Sequence, residues 1–292
     1  MKRWIPFAAI ILAGVLAIFL TERERVATKA SLRAVLSLAG DAEREVSHAP
    51  LDLDNLSDAD EIRIGDELAE SYESSLRSSQ KSGSEKQIEA YIQQVGDVVA
   101  AHAQRRLPYR FHYVPRASFV NAFALPGGHV FVGEGLLKLM QSEDALAAVL
   151  GHEVEHIDLR HCAERVQMEA RLRNLGTLGA LLSLPIGVFT AGYSKTQEFE
   201  ADRFGTALAV TAGYSPEGIL QLMGEFERLE HGSTGKSTGA ASPVDEAADV
   251  SVQTLEDYFR SHPPAAERKE QIEELARSER WPNPTLRLLK FR

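Results

Sequence analysis

The strongest constraint on the fold is the stretch ALAAVLGHEVEHI, residues 145–157, in which two histidines stand inside an otherwise mostly apolar run. His152 and His156 are four residues apart. On a helix of about 100° per residue they lie only about 40° apart around the axis, one turn from each other. The apolar neighbours favour a buried helix, and buried polar groups need partners. The sequence therefore predicts a core helix that presents both imidazoles to one shared partner.

The two histidines have the spacing with which a helix binds a metal ion. In the pattern HExxH both histidines bind zinc, and the glutamate beside the first one, here Glu153, acts as general base. Zinc lowers the pKa of a water ligand toward about 7, so the glutamate can take a proton as the water attacks a carbonyl. The alternative, a solvated polar helix face, fits the apolar surroundings poorly. We therefore interpret His152 and His156 as ligands of one Zn²⁺ per chain and Glu153 as the catalytic residue.

The helix that carries the motif is predicted to continue without a break over residues 143–173. On such a helix His161 lies about 180° from His152, which predicts an exposed position or one beside the site rather than a ligand position. The longer pattern HExxHxxGxxH also fails, because Leu159 stands where it needs glycine and Cys162 where it needs histidine. The third protein ligand must therefore come from another part of the chain.

The best candidate for that ligand is the stretch EFEAD on a second predicted helix, residues 195–213. Glu198 and Asp202 are four residues apart and share a face, whereas Glu200 lies about 200° from Glu198 and points elsewhere. A catalytic zinc takes three protein ligands and a water, which assigns Glu198 as the third ligand. Asp202 is then the residue whose carboxylate orients a ligand imidazole. Alone, EFEAD is more typical of a solvated helix face; its position after HExxH favours the ligand role.

Around these two helices the patterns predict a mainly α fold with a small β-sheet. The stretch YRFHYV, residues 109–114, alternates as a strand does, and two short β segments flank residues 126–128 before a further helix. We expect a zincin-type helical metallopeptidase domain of the α+β kind, with the small sheet flanking the HExxH helix.

Composition divides the chain into segments. Residues 1–21 are predicted to form a signal anchor or signal peptide, and residues 22–60, which are charged and lack a strong apolar period, a stalk or linker. The metallopeptidase domain is expected over residues 61–280, with a low-complexity mobile loop at about residues 231–249. Residues 281–292 are expected to form a C-terminal tail.

The N-terminal residues point to export. Lys2 and Arg3 precede an uncharged apolar run from Trp4 to Leu20, which is at the short end for a membrane span. The run is longer than a usual signal core and has no clear cleavage site, which favours an uncleaved anchor. We expect an inner-membrane anchor with the catalytic domain in the periplasm or a similar extracytoplasmic space. The alternative is a soluble periplasmic protein after signal cleavage.

The charge balance narrows the class of partners. The formal net charge is −10, whereas nucleic-acid binding usually shows a basic excess, so no nucleic-acid partner is expected. The single cysteine, Cys162, excludes a disulfide within the chain and argues against a cysteine-based zinc site.

The sequence resembles a known protein family in four stretches, which follow in the order VNAFALPGGHVFVGEGLL, VLGHEVEHIDLRH, YSKTQEFEADRFG and SHPPAAER. The family is that of the HtpX, CAAX prenyl protease and mitochondrial Oma-like zinc metalloendopeptidases, peptidase family M48. The resemblance implies that Glu198, the first acid of the ExxxD pattern, is the third zinc ligand, in agreement with the geometric assignment. The single clear apolar span is more similar to the single-anchor or periplasmic members than to the multi-span HtpX.

The resemblance also implies how a substrate binds. In such proteases an extended edge segment near the zinc pairs with the substrate backbone. Glycines in this segment would allow the peptide to approach closely, because they have no side chain. A tight hairpin turn explains the same glycines equally well. The residues assigned to substrate binding on this basis are Asn121, Ala122, Phe123, Gly127 and Gly128. Two further residues, His262 in a family His-Pro pair and Tyr193, are candidates for a fourth ligand or an oxyanion contact.

Two functions from different classes remain. The first is a zinc metalloendopeptidase that hydrolyses peptide bonds of unfolded or misassembled cell-envelope proteins, with unfolded proteins or peptides as its partners. The second is a zinc-stabilised, non-catalytic chaperone or scaffold for envelope proteins. Glu153 favours the first function, because a pure binding module does not need the general base.

Overall fold

The computed structural model describes residues 56–76, 81–173, 184–233 and 262–291. Within them the helices are α1 (Asp58–Leu76), α2 (Gly83–Ala100), α3 (Glu134–Leu139), α4 (Glu143–Asp158), α5 (His161–Leu172), α6 (Gly187–Thr190), α7 (Lys195–Thr211), α8 (Glu217–Ser233) and α9 (Ala265–Ser278). The strands are β1 (Arg110–Val114), β2 (Ala122–Leu125) and β3 (His129–Gly133). The prediction of a mainly α fold with a small β-sheet is confirmed.

The three strands form one mixed sheet with β3 in the centre. β3 runs parallel to β1 and antiparallel to β2. The turn Pro126–Gly128 joins β2 to β3, and Gly127 adopts a φ of 79°, in the left-handed region that favours glycine. Every residue of β2 and β3 is buried. The predicted hairpin is therefore a core element, and its edge strand β2 packs against α4.

The HExxH helix, α4, is the central element of the fold. Its residues from Glu143 to Ile157 are all buried, and it packs against β2 and helices α2, α7 and α8. The helix begins at Ser142, whose hydroxyl accepts a hydrogen bond of 3.2 Å from the backbone N–H of Ala145. Because other elements surround the helix on several sides, its buried polar residues need partners within the site.

Helices α4 and α7 are in backbone contact through a pair of glycines. A Cβ atom added to Gly151 would lie 2.4 Å from the carbonyl oxygen of Gly205, closer than any real side chain packs. The start of α7 is set by a capping box between Ser194 and Gln197. The close approach and the defined helix start together place Glu198, one turn into α7, alongside the motif on α4.

The prediction of one continuous helix over residues 143–173 is wrong. α4 ends at Asp158, and α5 begins at His161 after Arg160, whose φ of 64° is left-handed. A non-glycine residue in this region costs on the order of 1–3 kcal/mol. The guanidinium of Arg160 offsets that cost, because it donates a hydrogen bond of 2.8 Å to the fully buried carboxylate of Glu61 on α1. The contact is long-range in sequence, so helical periodicity alone did not indicate the break.

The segment after α9 packs against the start of α4. The carboxylate of Asp144 accepts hydrogen bonds from the backbone N–H of Arg287, at 2.6 Å, and of Ser215, at 2.7 Å. Leu289 is buried in the main hydrophobic core. Residues 281–291, predicted as a tail, therefore support the N-terminal end of the HExxH helix.

Several predicted segments lie outside the described residues. They are the signal or anchor segment 1–21, the linker up to residue 55 and residues 234–249 of the predicted loop. In the part of the chain that the structure describes, no helix combines the length and the apolar character needed to cross a membrane. The domain boundaries at residues 61 and 280 stay a prediction.

Candidate metal centre and active site

Helix α4 turns the two histidines of the motif toward each other. The Nε2 atom of His152 lies 3.1 Å from the Nε2 atom of His156, and both side chains are buried. Each Nδ1 atom has another partner: Asp202 for His152 and His161 for His156, both at 3.0 Å. In a neutral imidazole the partner of one nitrogen decides the role of the other. Both Nε2 atoms therefore face one common point.

Glu198 reaches the same point from α7. Its carboxylate is fully buried and lies 3.5 Å from Nε2 of His152 and 3.8 Å from Nε2 of His156. The backbone N–H of Tyr193 donates to Oε1 at 3.1 Å. Among the described residues, Oε2 has no hydrogen-bond partner. A buried carboxylate oxygen without a partner is costly, and a cation at the common point would satisfy it.

A third histidine approaches these groups from the segment before α9. The Nε2 atom of His262 lies 3.6 Å from Oε2 of Glu198. His152, Glu198 and His262 each offer one donor atom within 4.8 Å of the other two. Although this group of three omits His156, the 3.1 Å separation of the two Nε2 atoms places His156 at the same point. Imidazole nitrogens and a carboxylate oxygen are donors that zinc takes, so the residues fit one zinc ion.

Asp202 and Arg268 form a buried ion pair behind His152. Arg268 on α9 donates from Nε to Oδ2 at 2.7 Å and from Nη2 to Oδ1 at 2.5 Å. Burial alone would raise the pKa of Asp202, but the charge and hydrogen bonds of Arg268 hold it well below its usual value. Burial would likewise lower the pKa of His152, but the neighbouring carboxylates of Asp202 and Glu198 raise it to about 9. The ion pair thus keeps a charged acceptor behind the Nδ1 atom of His152.

Arg268 is the residue of this site that the sequence reasoning missed. It stands six positions after His262 in the stretch SHPPAAER, and it is 2% exposed. Arginine is almost never fully buried unless it is paired. The sequence around it is polar, so nothing local indicated burial. The only available signal was its place in one of the four stretches that carry the family resemblance.

His161 lies beside the site, at 4% exposure. Of the two expected positions, exposed or beside the site, His161 takes the second, because the break before α5 turns this residue back toward α4. Its Nδ1 atom faces Nδ1 of His156 at 3.0 Å, and its Nε2 atom lies 3.5 Å from the carboxylate of Glu200. Burial lowers the pKa of His161 to about 4. Glu200 therefore contacts His161 at the rim and not the common point of the donors.

Glu153 lines the cleft that reaches the donor atoms. Its carboxylate is buried, and burial raises its pKa to about 7. A carboxyl group with this pKa can both take and return a proton near neutral pH. The residues that line the cleft are Asn121, Ala122, Phe123, Glu153, His156, Phe189, Thr190, Gly192, Tyr193, Glu198 and His262.

The structure separates the residues that the sequence assigned to substrate binding. Asn121, Ala122 and Phe123 lie in the cleft, whereas Gly127 and Gly128 are not among its lining residues. A Cβ atom on Gly127 would lie 2.4 Å from the backbone of α1, and one on Gly128 would lie 2.9 Å from the carbonyl oxygen that precedes β1. The two glycines therefore serve the turn and its packing.

Tyr193 presents its ring to the site. The imidazole of His156 stacks on the ring, with centroids 4.0 Å apart. The hydroxyl, which the sequence offered as an oxyanion contact, pairs instead with Sγ of Cys162 at 3.2 Å.

An HExxH helix whose histidines meet a glutamate of a second helix, with an aspartate behind the first histidine, defines the class of zincin-type metallopeptidases. The sequence profile of Peptidase family M48 matches residues 86–276. This match covers more than half of the chain, and the chain belongs to that family.

Curated relatives carry peptidase names. The chain is 34% identical over 154 residues, 50% of its length, to the mitochondrial metalloendopeptidase OMA1 of Schizosaccharomyces pombe. It is 30% identical over 153 residues, 46% of its length, to the beta-barrel assembly-enhancing protease of Yersinia pestis, and 27% identical over 184 residues, 56% of its length, to that of Escherichia coli. These matches cover 45%, 31% and 37% of the relatives, so the chain spans less than half of their length.

Proposed function

We propose that the chain is a zinc-dependent metalloendopeptidase that hydrolyses peptide bonds of unfolded or misassembled cell-envelope proteins. One observation carries the proposal: the donor atoms of His152, His156 and Glu198 converge, and His156 and Glu198 line the same cleft as Glu153. Membership of Peptidase family M48 supports the same activity. A structural zinc site needs no general base, so the presence of Glu153 beside the proposed ligands favours catalysis.

The proposed zinc ligands are His152, His156 and Glu198. When bound there, zinc supplies a Lewis acid that polarises the scissile carbonyl and acidifies a water molecule. The chain's own part is to orient the imidazoles. Asp202 does this for His152, because its carboxylate accepts the Nδ1 proton and leaves Nε2 as the ligand atom.

Glu153 is the residue to which we assign proton transfer. Its carboxylate takes a proton from the attacking water and passes it to the amine that leaves as the peptide C–N bond breaks. The raised pKa of about 7, caused by burial, suits both transfers near neutral pH.

The substrate is proposed to bind along Asn121, Ala122 and Phe123. Within the described sheet, β2 pairs only with β3, so its other edge can accept an extended peptide. Main-chain pairing of this kind depends little on sequence, which suits unfolded proteins as substrates. In this structure Ala122 is 4% and Phe123 2% exposed. A peptide must therefore displace groups that cover the strand, among them those of α6, which packs against β2.

His262 is assigned to the remaining position at the common point of the donors. There it serves either as a fourth ligand or as a contact to the developing oxyanion. Its distance of 3.6 Å from Oε2 of Glu198 supports the assignment. Unchanged peptidase activity and unchanged zinc affinity in the His262→Ala variant would exclude both roles.

The proposed location is the cell envelope, with residues 1–21 as an inner-membrane anchor and the peptidase domain on the extracytoplasmic side. The relatives from Yersinia pestis and Escherichia coli are named for enhancing β-barrel assembly, which supports envelope proteins as the substrate class. A soluble periplasmic form after signal cleavage is the alternative.

The Glu153→Gln variant separates a peptidase from a zinc-stabilised chaperone or scaffold. It keeps the proposed zinc ligands and removes the base, so it should bind zinc like the wild type and fail to cleave casein. Glu155→Gln is the matched control, because Glu155 lies on the same helix but not in the cleft; it should cleave casein. Casein cleavage at the wild-type rate by zinc-loaded Glu153→Gln would contradict the assignment.

A further inference from the structure

Tyr193 touches both helices that carry the proposed zinc ligands. It lies just before α7, and its ring stacks on the imidazole of His156 of α4, with centroids 4.0 Å apart and planes 18° apart. Its backbone N–H donates to Oε1 of Glu198 of α7 at 3.1 Å. One residue therefore contacts a proposed ligand on each helix, one through its ring and one through its backbone.

The guanidinium of Arg165 lies over the same tyrosine ring, with Cζ 4.7 Å from the centroid. The ring of Tyr193 therefore packs against both the imidazole of His156 and the guanidinium of Arg165. Arg165 is buried, and it also donates to the backbone oxygens of Val188, at 2.9 Å, and of Gly192. These bonds hold the chain that leads to Tyr193, so Arg165 contacts both the ring and the backbone segment that carries it.

The break between α4 and α5 makes this arrangement possible. Arg165 follows His156 by nine residues, and on a continuous helix nine residues place two side chains about 180° apart around the axis. The left-handed residue Arg160 redirects the chain, and α5 then returns Arg165 to the side of His156. The same helix supplies Cys162, whose Sγ lies 3.2 Å from the Tyr193 hydroxyl.

The two zinc-binding histidines are oriented by different means. His152 has a charged carboxylate at Nδ1, held by Arg268. His156 has only another imidazole there, that of His161. A neutral imidazole is a weaker acceptor than a carboxylate, because hydrogen bonds to charged groups are roughly twice as strong. Face-to-face packing supplies an orientation that the hydrogen bond alone does not secure.

We infer that Arg165 and Tyr193 are positioning residues for metal binding: their stacked groups hold the imidazole of His156 in the orientation that directs Nε2 at the zinc. The inference rests on the proposed function, since it assumes that His156 is a ligand. The aromatic ring performs this role, and the hydroxyl does not. Residues that orient metal ligands typically change metal affinity by about 10–100-fold when replaced.

The test is the zinc dissociation constant of the full chain, measured by competition with a chromogenic chelator. We expect Tyr193→Phe to bind zinc within about threefold of the wild type, because the ring remains, and Tyr193→Leu to bind about 10–100-fold more weakly. Arg165→Met should weaken binding by about 10-fold. Arg165→Lys, which keeps the charge but loses the planar group, should fall between Arg165→Met and the wild type. Ligand-field bands of the Co²⁺-loaded proteins should shift in Tyr193→Leu and not in Tyr193→Phe.

Thermal unfolding of the metal-free proteins shows which variants are folded. Only the folded variants are used to compare zinc dissociation constants. Wild-type zinc affinity in folded Tyr193→Leu and in folded Arg165→Lys would overturn the inference, as would equal losses in Tyr193→Phe and Tyr193→Leu. Failure of the proposed function is a different result: the wild type itself would not bind zinc, or His156→Ala would bind it unchanged. The two failures are therefore distinguishable in one series of measurements.

Discussion

Gly151 of α4 and Gly205 of α7 meet so closely that a Cβ atom on Gly205 would lie 2.5 Å from the backbone nitrogen of His152. Two helices can approach to this distance only where both lack side chains. The approach sets how far Glu198 stands from the histidines of α4. The proposed metal site therefore depends on the absence of two side chains as well as on the presence of its ligands.

Gly205→Ala should weaken both the fold and the site. The added methyl group has no room, and overpacking of this kind costs about 1–3 kcal/mol. Because the helices must separate, zinc affinity should fall by about 10-fold or more. Gly83→Ala is the control, since nothing lies within 4 Å of a Cβ atom at that position. Denaturant unfolding and chelator competition measure the two effects, and wild-type values for both in Gly205→Ala would show that the contact is not needed.

Arg268→Met should destabilise the protein strongly, because it leaves the buried carboxylate of Asp202 without its counter-charge. Breaking a buried ion pair on one side typically costs about 3–5 kcal/mol. Adding Asp202→Asn to the same chain removes the unpaired charge and should recover part of the loss. A double-mutant cycle on the free energy of unfolding measures this coupling. Single effects that simply add in the double variant would mean that the two residues act independently.

The imidazole of His112 on β1 lies outside the metal site and is partly buried, with its side chain 14% exposed. Its Nε2 atom faces Nδ1 of His129 on β3 at 2.9 Å, and its Nδ1 atom faces Glu73 of α1 at 3.1 Å. Burial, with a contribution from His129, lowers the pKa of His112 to about 4, although Glu73 and Glu89 of α2 act in the opposite direction. The folded protein therefore holds this histidine neutral where an unfolded chain would protonate it.

This difference predicts a loss of stability in acid. As the pH falls below about 6.5, the unfolded chain binds a proton at His112 before the folded chain does, so stability is lost down to about pH 4. Between pH 7 and pH 4.5 the wild type should lose about 2–3 kcal/mol more than His112→Gln, which cannot titrate. Denaturant unfolding of both proteins in the presence of a chelator measures the loss. The two proteins share every other histidine, so the difference between them reports His112. Parallel losses in the two proteins would contradict the prediction.

Asp144 ties the C-terminal segment and the start of α8 to the HExxH helix. Asp144→Ala removes the acceptor for the backbone N–H groups of Ser215 and Arg287, which should cost about 2–6 kcal/mol at about 1–3 kcal/mol for each unsatisfied group. Asp144→Asn keeps one acceptor oxygen and should lie between alanine and the wild type. The free energy of unfolding measures the series, and equal stability of all three proteins would exclude this role for Asp144.

The proposed metal-binding face of α4 was predictable from the sequence, because the signal for it is local. Helical spacing alone places His152 and His156 on one face, and the same rule separates Glu198 from Glu200 on α7. The small sheet with its Pro126–Gly128 turn was predictable for a similar reason, since alternation and turn residues are short-range signals.

The supporting residues were not predictable in this way. The break at Arg160 depends on Glu61, 99 positions away in the chain, and Arg268 lies 66 positions from Asp202. The stack of Arg165 on Tyr193 exists only because of that break. Such contacts follow from the packing of several elements, and a single sequence shows neither the packing nor the residues that it buries.

Metal analysis of the purified full chain tests the central proposal most directly. The wild type should contain about one zinc per chain, the stoichiometry of a single three-ligand site, and Glu198→Ala should contain little or none. Glu200→Ala is the matched control, because Glu200 stands two positions later on the same helix with its side chain 47% exposed; it should keep its zinc. Full zinc content in Glu198→Ala, or its absence from the wild type, would contradict the proposed site.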